Sequence, residues 1–174
     1  QAYTFDGFVS LLFNANADMK GGEIELTTSP IDGLDMMFGV AYIDAEVKDV
    51  PPSISPTGKE DAVLAPEWSY NGLVRYAFPA LDGEIALQVD YSWKDDHTFN
   101  LAYTPVIEEG SYGIANARVS YSTADEAWSV AAFVKNFTDE EYRSFAFDTT
   151  TFFGATENVP GVERWYGAEL RFTW

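Results

Sequence analysis

A chain of 174 residues can bury one sizeable core, so length excludes neither a globular domain nor a small barrel. With 47% hydrophobic and 16% aromatic residues it is too apolar for disorder, and a net charge of −18 argues against nucleic acid, whose phosphates it would repel. The absence of cysteine removes disulfide scaffolds, thiol nucleophiles and thiolate metal sites, and no apolar run approaches the roughly 20 residues a membrane-spanning helix requires.

Gln1 opens directly into patterned sequence with neither a basic nor an apolar leader, so a signal peptide is expected to have been removed or to lie upstream. Read for period, the chain alternates apolar and polar residues nearly throughout, and helical spacing is absent. The alternation and its breaks predict about eight strands, near 5–13, 21–29, 34–48, 67–78, 84–94, 112–122, 127–143 and 163–174. Trp68, Tyr70, Val74, Tyr76 and Phe78 alternate with Glu67, Ser69, Asn71 and Arg75. Ile85, Leu87, Val89, Tyr91 and Trp93 alternate with Glu84, Gln88, Asp90, Ser92 and Lys94. In the last segment Tyr166, Ala168, Leu170, Phe172 and Trp174 alternate with Trp165, Gly167, Glu169, Arg171 and Thr173.

Two kinds of connection take turns. Ser29–Gly33, Pro79–Gly83 and Thr123–Glu126 are short and built from residues that preset turn dihedrals, whereas Asp49–Pro66, Asp95–Ser111 and Ser144–Val162 are long. Strands of about ten residues with short turns at one end and long loops at the other describe the wall of an outer-membrane barrel. A soluble β-sandwich or lipocalin-like ligand-binding barrel has the same periodicity and differs in which face meets solvent. Aromatic residues at both strand ends, such as Trp68 and Tyr70 against Tyr76 and Phe78, favour the membrane, because two interfacial girdles need them there. On that reading Glu23, Glu25, Arg75, Asp90, Arg118, Lys135, Glu169 and Arg171 line the lumen.

The stretch Val134-Lys135-Asn136-Phe137-Thr138-Asp139-Glu140-Glu141-Tyr142, followed by a loop, Pro160-Gly161 and a final aromatic strand, resembles the closing hairpin of TonB-dependent receptors. Gly22-Glu23-Ile24-Glu25-Leu26 before a Pro turn, and Leu64-Ala65-Pro66-Glu67 opening a strand, are similar to earlier parts of that family's barrel. The resemblance covers nearly the whole chain. It implies an all-β fold of antiparallel, up-and-down transmembrane strands, a C-terminal portion of a larger, roughly 22-stranded barrel. At roughly 22 residues per strand and connection, residues 1–174 would supply about a third of that wall, with the plug domain and the TonB box outside it. Implied partners are outer-membrane lipid, the barrel-assembly machinery, and, through the missing N-terminal part, the plug and the TonB complex. The implied role is import of a scarce nutrient of the siderophore, cobalamin or glycan type, without a cofactor. A self-closed eight-stranded barrel of a Gram-negative outer membrane is the alternative.

Few residues look chemical. His97 follows Asp95 and Asp96, yet catalysis needs an oriented base facing a nucleophile or water, and a run of this kind at a strand end is expected to be a solvated loop. The same acids lack the spacing of a calcium loop, so neither a catalytic nor a metal site is assigned. Asn136-Phe137-Thr138 matches a glycosylation acceptor by accident in a barrel strand. Phe145, Phe147, Phe152 and Phe153 crowd the last long loop, where aromatic rings could stack on a ligand. Phe172 and Trp174 end the chain on aromatics, which the resemblance marks as an assembly signal.

Overall fold

The computed structural model describes residues 2–6, 9–55, 58–101 and 105–174. The elements run β1 (Ala2–Asp6), β2 (Val9–Phe13), β3 (Asn16–Ile31), β4 (Leu34–Lys48), β5 (Lys59–Asp61), β6 (Trp68–Ala80), β7 (Gly83–Lys94), β8 (His97–Thr98), β9 (Glu108–Glu109), β10 (Tyr112–Thr123), β11 (Trp128–Lys135), β12 (Arg143–Asp148), α1 (Thr150–Phe153), β13 (Thr156–Pro160) and β14 (Trp165–Phe172). A single 3-10 turn, Pro105–Ile107, precedes β9.

Seven long strands pair antiparallel in sequence order, β3-β4-β6-β7-β10-β11-β14, and the short β5 adds to β4. Such a meander follows from the turns. Ala80 pairs with Gly83 across Leu81-Asp82, both at positive φ (54° and 55°), the left-handed pair that matches the twist of a two-residue hairpin. Gly33, at φ 79°, closes the β3–β4 turn, and a Cβ there would lie 2.0 Å from the Ala77 carbonyl oxygen, so no other residue fits without movement. These two turns and Thr123–Glu126 lie at one end, and the three long connections at the other.

Two expected strands come out differently. The described residues of the segment near 5–13 belong to a separate hairpin, β1 paired with β2, and none of them pairs with β14. Its sequence puts Leu11, Leu12 and Phe13 side by side, so it lacks the two-faced pattern that holds a strand in the wall. Among the described residues β3 and β14 are each paired on one side only, so the sheet is not closed into a ring. The strand expected over 127–143 stops at Lys135, because Asn136 and Asp139 adopt φ values of 50° and 61° and turn the chain. Asn and Asp are the non-glycine residues that tolerate this region best.

The buried apolar clusters lie at the long-loop end. Val47, Val50, Ala62 and Leu101 form one, against Phe13, Ala45 and Ile54, and Phe99, Ile107 and Ala146 form the other. The wall below them has two exposed faces and no core of its own.

Candidate functional site: the two faces of the wall and its loop cap

The register sorts every wall residue onto one of two faces. One face carries Leu26 paired with Phe38 and, one level nearer the turns, Met36, Val74, Val89, Ala117, Val134 and Tyr166 in one row across successive strands, with Leu87, Val119, Ala132 and Leu170 nearer the turns still. These side chains are open: Ile24 and Leu170 are each 70% exposed, and nothing among the described residues packs on this face. Aromatic rings bound it. At the loop end Tyr42, Trp68, Tyr70 and Trp93 form a chain with centroids 4.8, 6.2 and 5.1 Å apart. At the turn end Tyr76 meets Phe78 at 5.6 Å and Trp128 meets Phe172 at 4.6 Å. From Trp68 to Phe78 is ten residue steps. At about 3.3 Å each and a tilt of about 40° they would cover about 25 Å of bilayer, the height of an apolar band.

The opposite face holds the charge. All eight residues expected there, Glu23, Glu25, Arg75, Asp90, Arg118, Lys135, Glu169 and Arg171, share it in register. Arg118 reaches over Ala131 of β11 to Glu169 of β14 at 2.7 Å, and Ala131 beneath is 3% exposed. Arg75 pairs with Glu84 at 3.2 Å and with Asp35 at 3.6 Å. Such half-exposed pairs stabilise by about 0.2–1 kcal/mol each, so they order the face more than they hold the fold.

On β3 and β4 the two faces exchange character at the Gly22–Tyr42 pair. Below it Ile24, Leu26, Phe38 and Val40 sit on the open face. Above it, on the same face of the same unbroken strands, come Asp18, Lys20, Asp44, Glu46 and Lys48, with Lys48 bonded to Asp18 and 3.4 Å from Glu46. Ala45 and Val47 turn inward there to the apolar cluster. One strand is therefore inside-out below Tyr42 and ordinary above it. A single solvent cannot favour both patterns; hydrocarbon below and water above does.

The loop cap is fastened by side chains that periodicity does not reveal. Asn136, 2% exposed, donates from Nδ2 to the carbonyls of Glu140 (2.8 Å) and Val162 (3.1 Å), and its Oδ1 accepts from the Glu140 N–H at 2.9 Å. Its own N–H donates to Asn116, which in turn donates to Asp90. Tyr142 stacks on Tyr112 with centroids 4.4 Å apart and covers Gly161, where any Cβ would lie 2.2 Å from its ring. Arg143 bonds the Glu109 carboxylate at 2.5 Å, the Val106 carbonyl at 2.8 Å, Asn158 at 3.2 Å and the Glu108 carbonyl, joining β12 to the preceding long loop. Asn136, Tyr142 and Gly161 belong to the stretch that carries the family resemblance, whereas Arg143 and Glu109, 34 residues apart, gave no sequence signal.

The matching family model, TonB dependent receptor-like, beta-barrel, covers residues 1–137. The chain belongs to this family. Its fold is similar to the ferric yersiniabactin uptake receptor FyuA from Yersinia pestis, with TM-score 0.79 and 14% identity, over 91% of this chain and 24% of that one. It is also similar to BauA, the ferric preacinetobactin receptor from Acinetobacter baumannii, with TM-score 0.70 and 18% identity, over 90% of this chain and 22% of that one. The chain thus spans about a quarter of these receptors' length, and at such identities the likeness is one of fold. Members of the TonB-dependent receptor family are receptors and transporters of Gram-negative outer membranes, not enzymes.

The remaining candidates scatter over the receptor segment. Phe145, in β12, is 46% exposed and meets Phe99 at 6.0 Å, while Phe147 on the same strand is half-buried. Phe152 and Phe153 lie in α1, where Phe153 is 76% exposed and the Phe152 side chain falls outside the described residues. Phe172 ends β14 at 6.3 Å from Trp174, whose side chain is fully open. His97 is buried in β8 beside Phe99 and Tyr112. No three His, Asp or Glu among the described residues are grouped to hold a metal ion.

Proposed function

We propose that this chain forms barrel wall and extracellular loop surface, a C-terminal segment, of a TonB-dependent importer for a scarce, large nutrient such as an iron chelate. The observation that carries the reading is the exchange of faces at Gly22–Tyr42, which marks where lipid gives way to water on one continuous hairpin. The two structural neighbours are named as ferric-chelate receptors, which favours the siderophore class over cobalamin or glycans. Energy coupling and the plug belong to the N-terminal part of such a receptor, so the role here is passive: a lipid-facing band, a charged face toward the lumen, and a stapled cap. Among the described phenylalanine side chains of the last loop, Phe153 is the most open to a ligand, and Phe145 packs against Phe99.

Because residues 1–174 contain no cysteine, single cysteines report each face cleanly. In the full-length receptor in outer membranes, cysteines at Leu87, Val89 and Leu170 should resist a charged maleimide, and those at Gln88, Asp90 and Glu169 should react with it. Equal labelling of the two sets overturns the membrane assignment. Growth on the ferric chelate that is lost in a strain lacking TonB then tests import, and growth independent of TonB refutes it.

A further inference from the structure

The charged face of the wall also carries two large rings. Trp165 opens β14 and Phe133 lies near the end of β11, on the same face as Arg118 and Glu169, and Trp165 is 46% exposed. The two rings meet edge to face at 89°, with centroids 5.1 Å apart. Gly167 makes room for this. It is the register partner of Phe133, and a Cβ on it would lie 2.2 Å from the Phe133 ring, which therefore lies across β14. Hydrocarbon stabilises an open ring on the lipid side, but a ring on the lumen side stands in water until something covers it.

Lys135 puts a charge beside the rings. It is the register partner of Trp165 and follows Phe133 by two residues, so all three side chains share one face at the long-loop end of the wall. Among the described cations of that face, Arg75, Arg118 and Arg171 each have a carboxylate within 4.0 Å, and Lys94 lies over the Tyr112 ring at 4.8 Å. Lys135 has neither kind of partner among the described residues, in a chain with 28 acidic residues against 10 Lys and Arg. Residues directly opposed across an antiparallel pair have Cβ atoms about 4.5–5.5 Å apart, so a group seated on the Trp165 ring is also within reach of the ammonium.

An occupant that satisfies both features offers a flat apolar ring with an anion next to it. No single protein side chain does so at neutral pH, since tyrosine keeps its proton and Asp and Glu have no ring. A phenol whose oxygen holds a metal ion, by contrast, is ionised. We infer that Phe133, Trp165 and Lys135 receive an aryl group bearing an ionised oxygen on the imported chelate. The inference rests on the import reading and narrows its ligand to aryl chelates.

Ferric salicylate titrated calorimetrically into the purified full-length receptor tests this. Wild-type protein should bind it. Lys135→Gln should weaken binding about tenfold, the worth of one charge-assisted hydrogen bond, and Lys135→Arg should retain most of the affinity. Trp165→Leu should weaken it about fivefold through loss of the ring contact. Lys20→Gln, on the opposite face, should change nothing. Lys135 is partly exposed, so its variants carry the test if Trp165→Leu fails to give a heat-modifiable barrel. Wild-type protein without affinity for ferric salicylate, or one affinity shared by wild type, Lys135→Gln and Trp165→Leu, overturns the site. Variants that bind like wild type but unfold at lower urea overturn it in favour of a contact with the plug. Ferric citrate, an anion without a ring, bound as tightly as ferric salicylate overturns the aryl preference and leaves the import reading standing, whereas growth independent of TonB with the expected binding sinks the import reading alone.

Discussion

Replacing Asn136 by alanine removes three side-chain hydrogen bonds at once, to Glu140 N–H, Glu140 C=O and Val162 C=O. The groups left behind are part-buried, so about 1 kcal/mol apiece is appropriate, about 3 kcal/mol together. The backbone adds to this. Asn136 sits at φ 50°, where Asn is tolerated and alanine costs about 1 kcal/mol more. The expected loss is about 4 kcal/mol, measured by urea unfolding of the full-length receptor refolded into phosphatidylcholine vesicles. Asn136→Gly relieves the backbone but not the hydrogen bonds, and should recover about 1 kcal/mol of that loss. Asn136→Asp keeps the bond from Glu140 N–H and forfeits both donors, and should fall between wild type and alanine. An alanine variant within about 0.5 kcal/mol of wild type would refute the reasoning, because surface positions without special roles change stability by no more.

Four further outcomes follow from the same geometry. Val89→Arg, midway between the two aromatic girdles, should destabilise the folded barrel by about 2–4 kcal/mol while Ser92→Arg on the charged face stays near neutral, read as the heat-modifiable fraction in membranes. Arg143→Met leaves Glu109 buried without its cation and should cost about 3 kcal/mol locally. Faster proteolysis within 136–164, with the wall intact, is the expected sign, and an unchanged cleavage rate would count against the staple. Burial holds the His97 imidazole below its ordinary range, against the pull of the Asp95 carbonyl, Glu109 and Asp96 and with the help of Lys94. Stability resting on the neutral ring is therefore full above about pH 6.5 and is lost as pH falls below it toward the depressed native value; amide protection in 95–101, corrected for the intrinsic exchange rate at each pH, should fall between pH 7.5 and 5.5, and His97→Gln should abolish that fall. Trp174→Asp in the full parent should lower assembly and leave ligand affinity in the surviving barrels unchanged, whereas undiminished assembly would refute an assembly role for this residue.

The sequence by itself determined the wall. A strand has a side-chain period of two, so Ile85 to Trp93 or Tyr166 to Trp174 declares two faces without any knowledge of its neighbours, and the short turns fix antiparallel order. It also placed the charged face, residue for residue, because parity within a strand survives pairing. Which face meets which solvent was not in the alternation; it emerged when Ile24 and Asp18 were found on one side of one unbroken strand, on either side of the Tyr42 ring. The cap was illegible for a different reason. Its structure rests on single long-range contacts, Arg143 on Glu109, Tyr142 on Gly161, His97 in a wall of acids, and such contacts have no period. Asn136 shows the division within one residue. Its place in a recurring motif marked it, but only the folded chain, which buries it and turns it left-handed, shows that its amide stands in for the ladder that β11 has just lost.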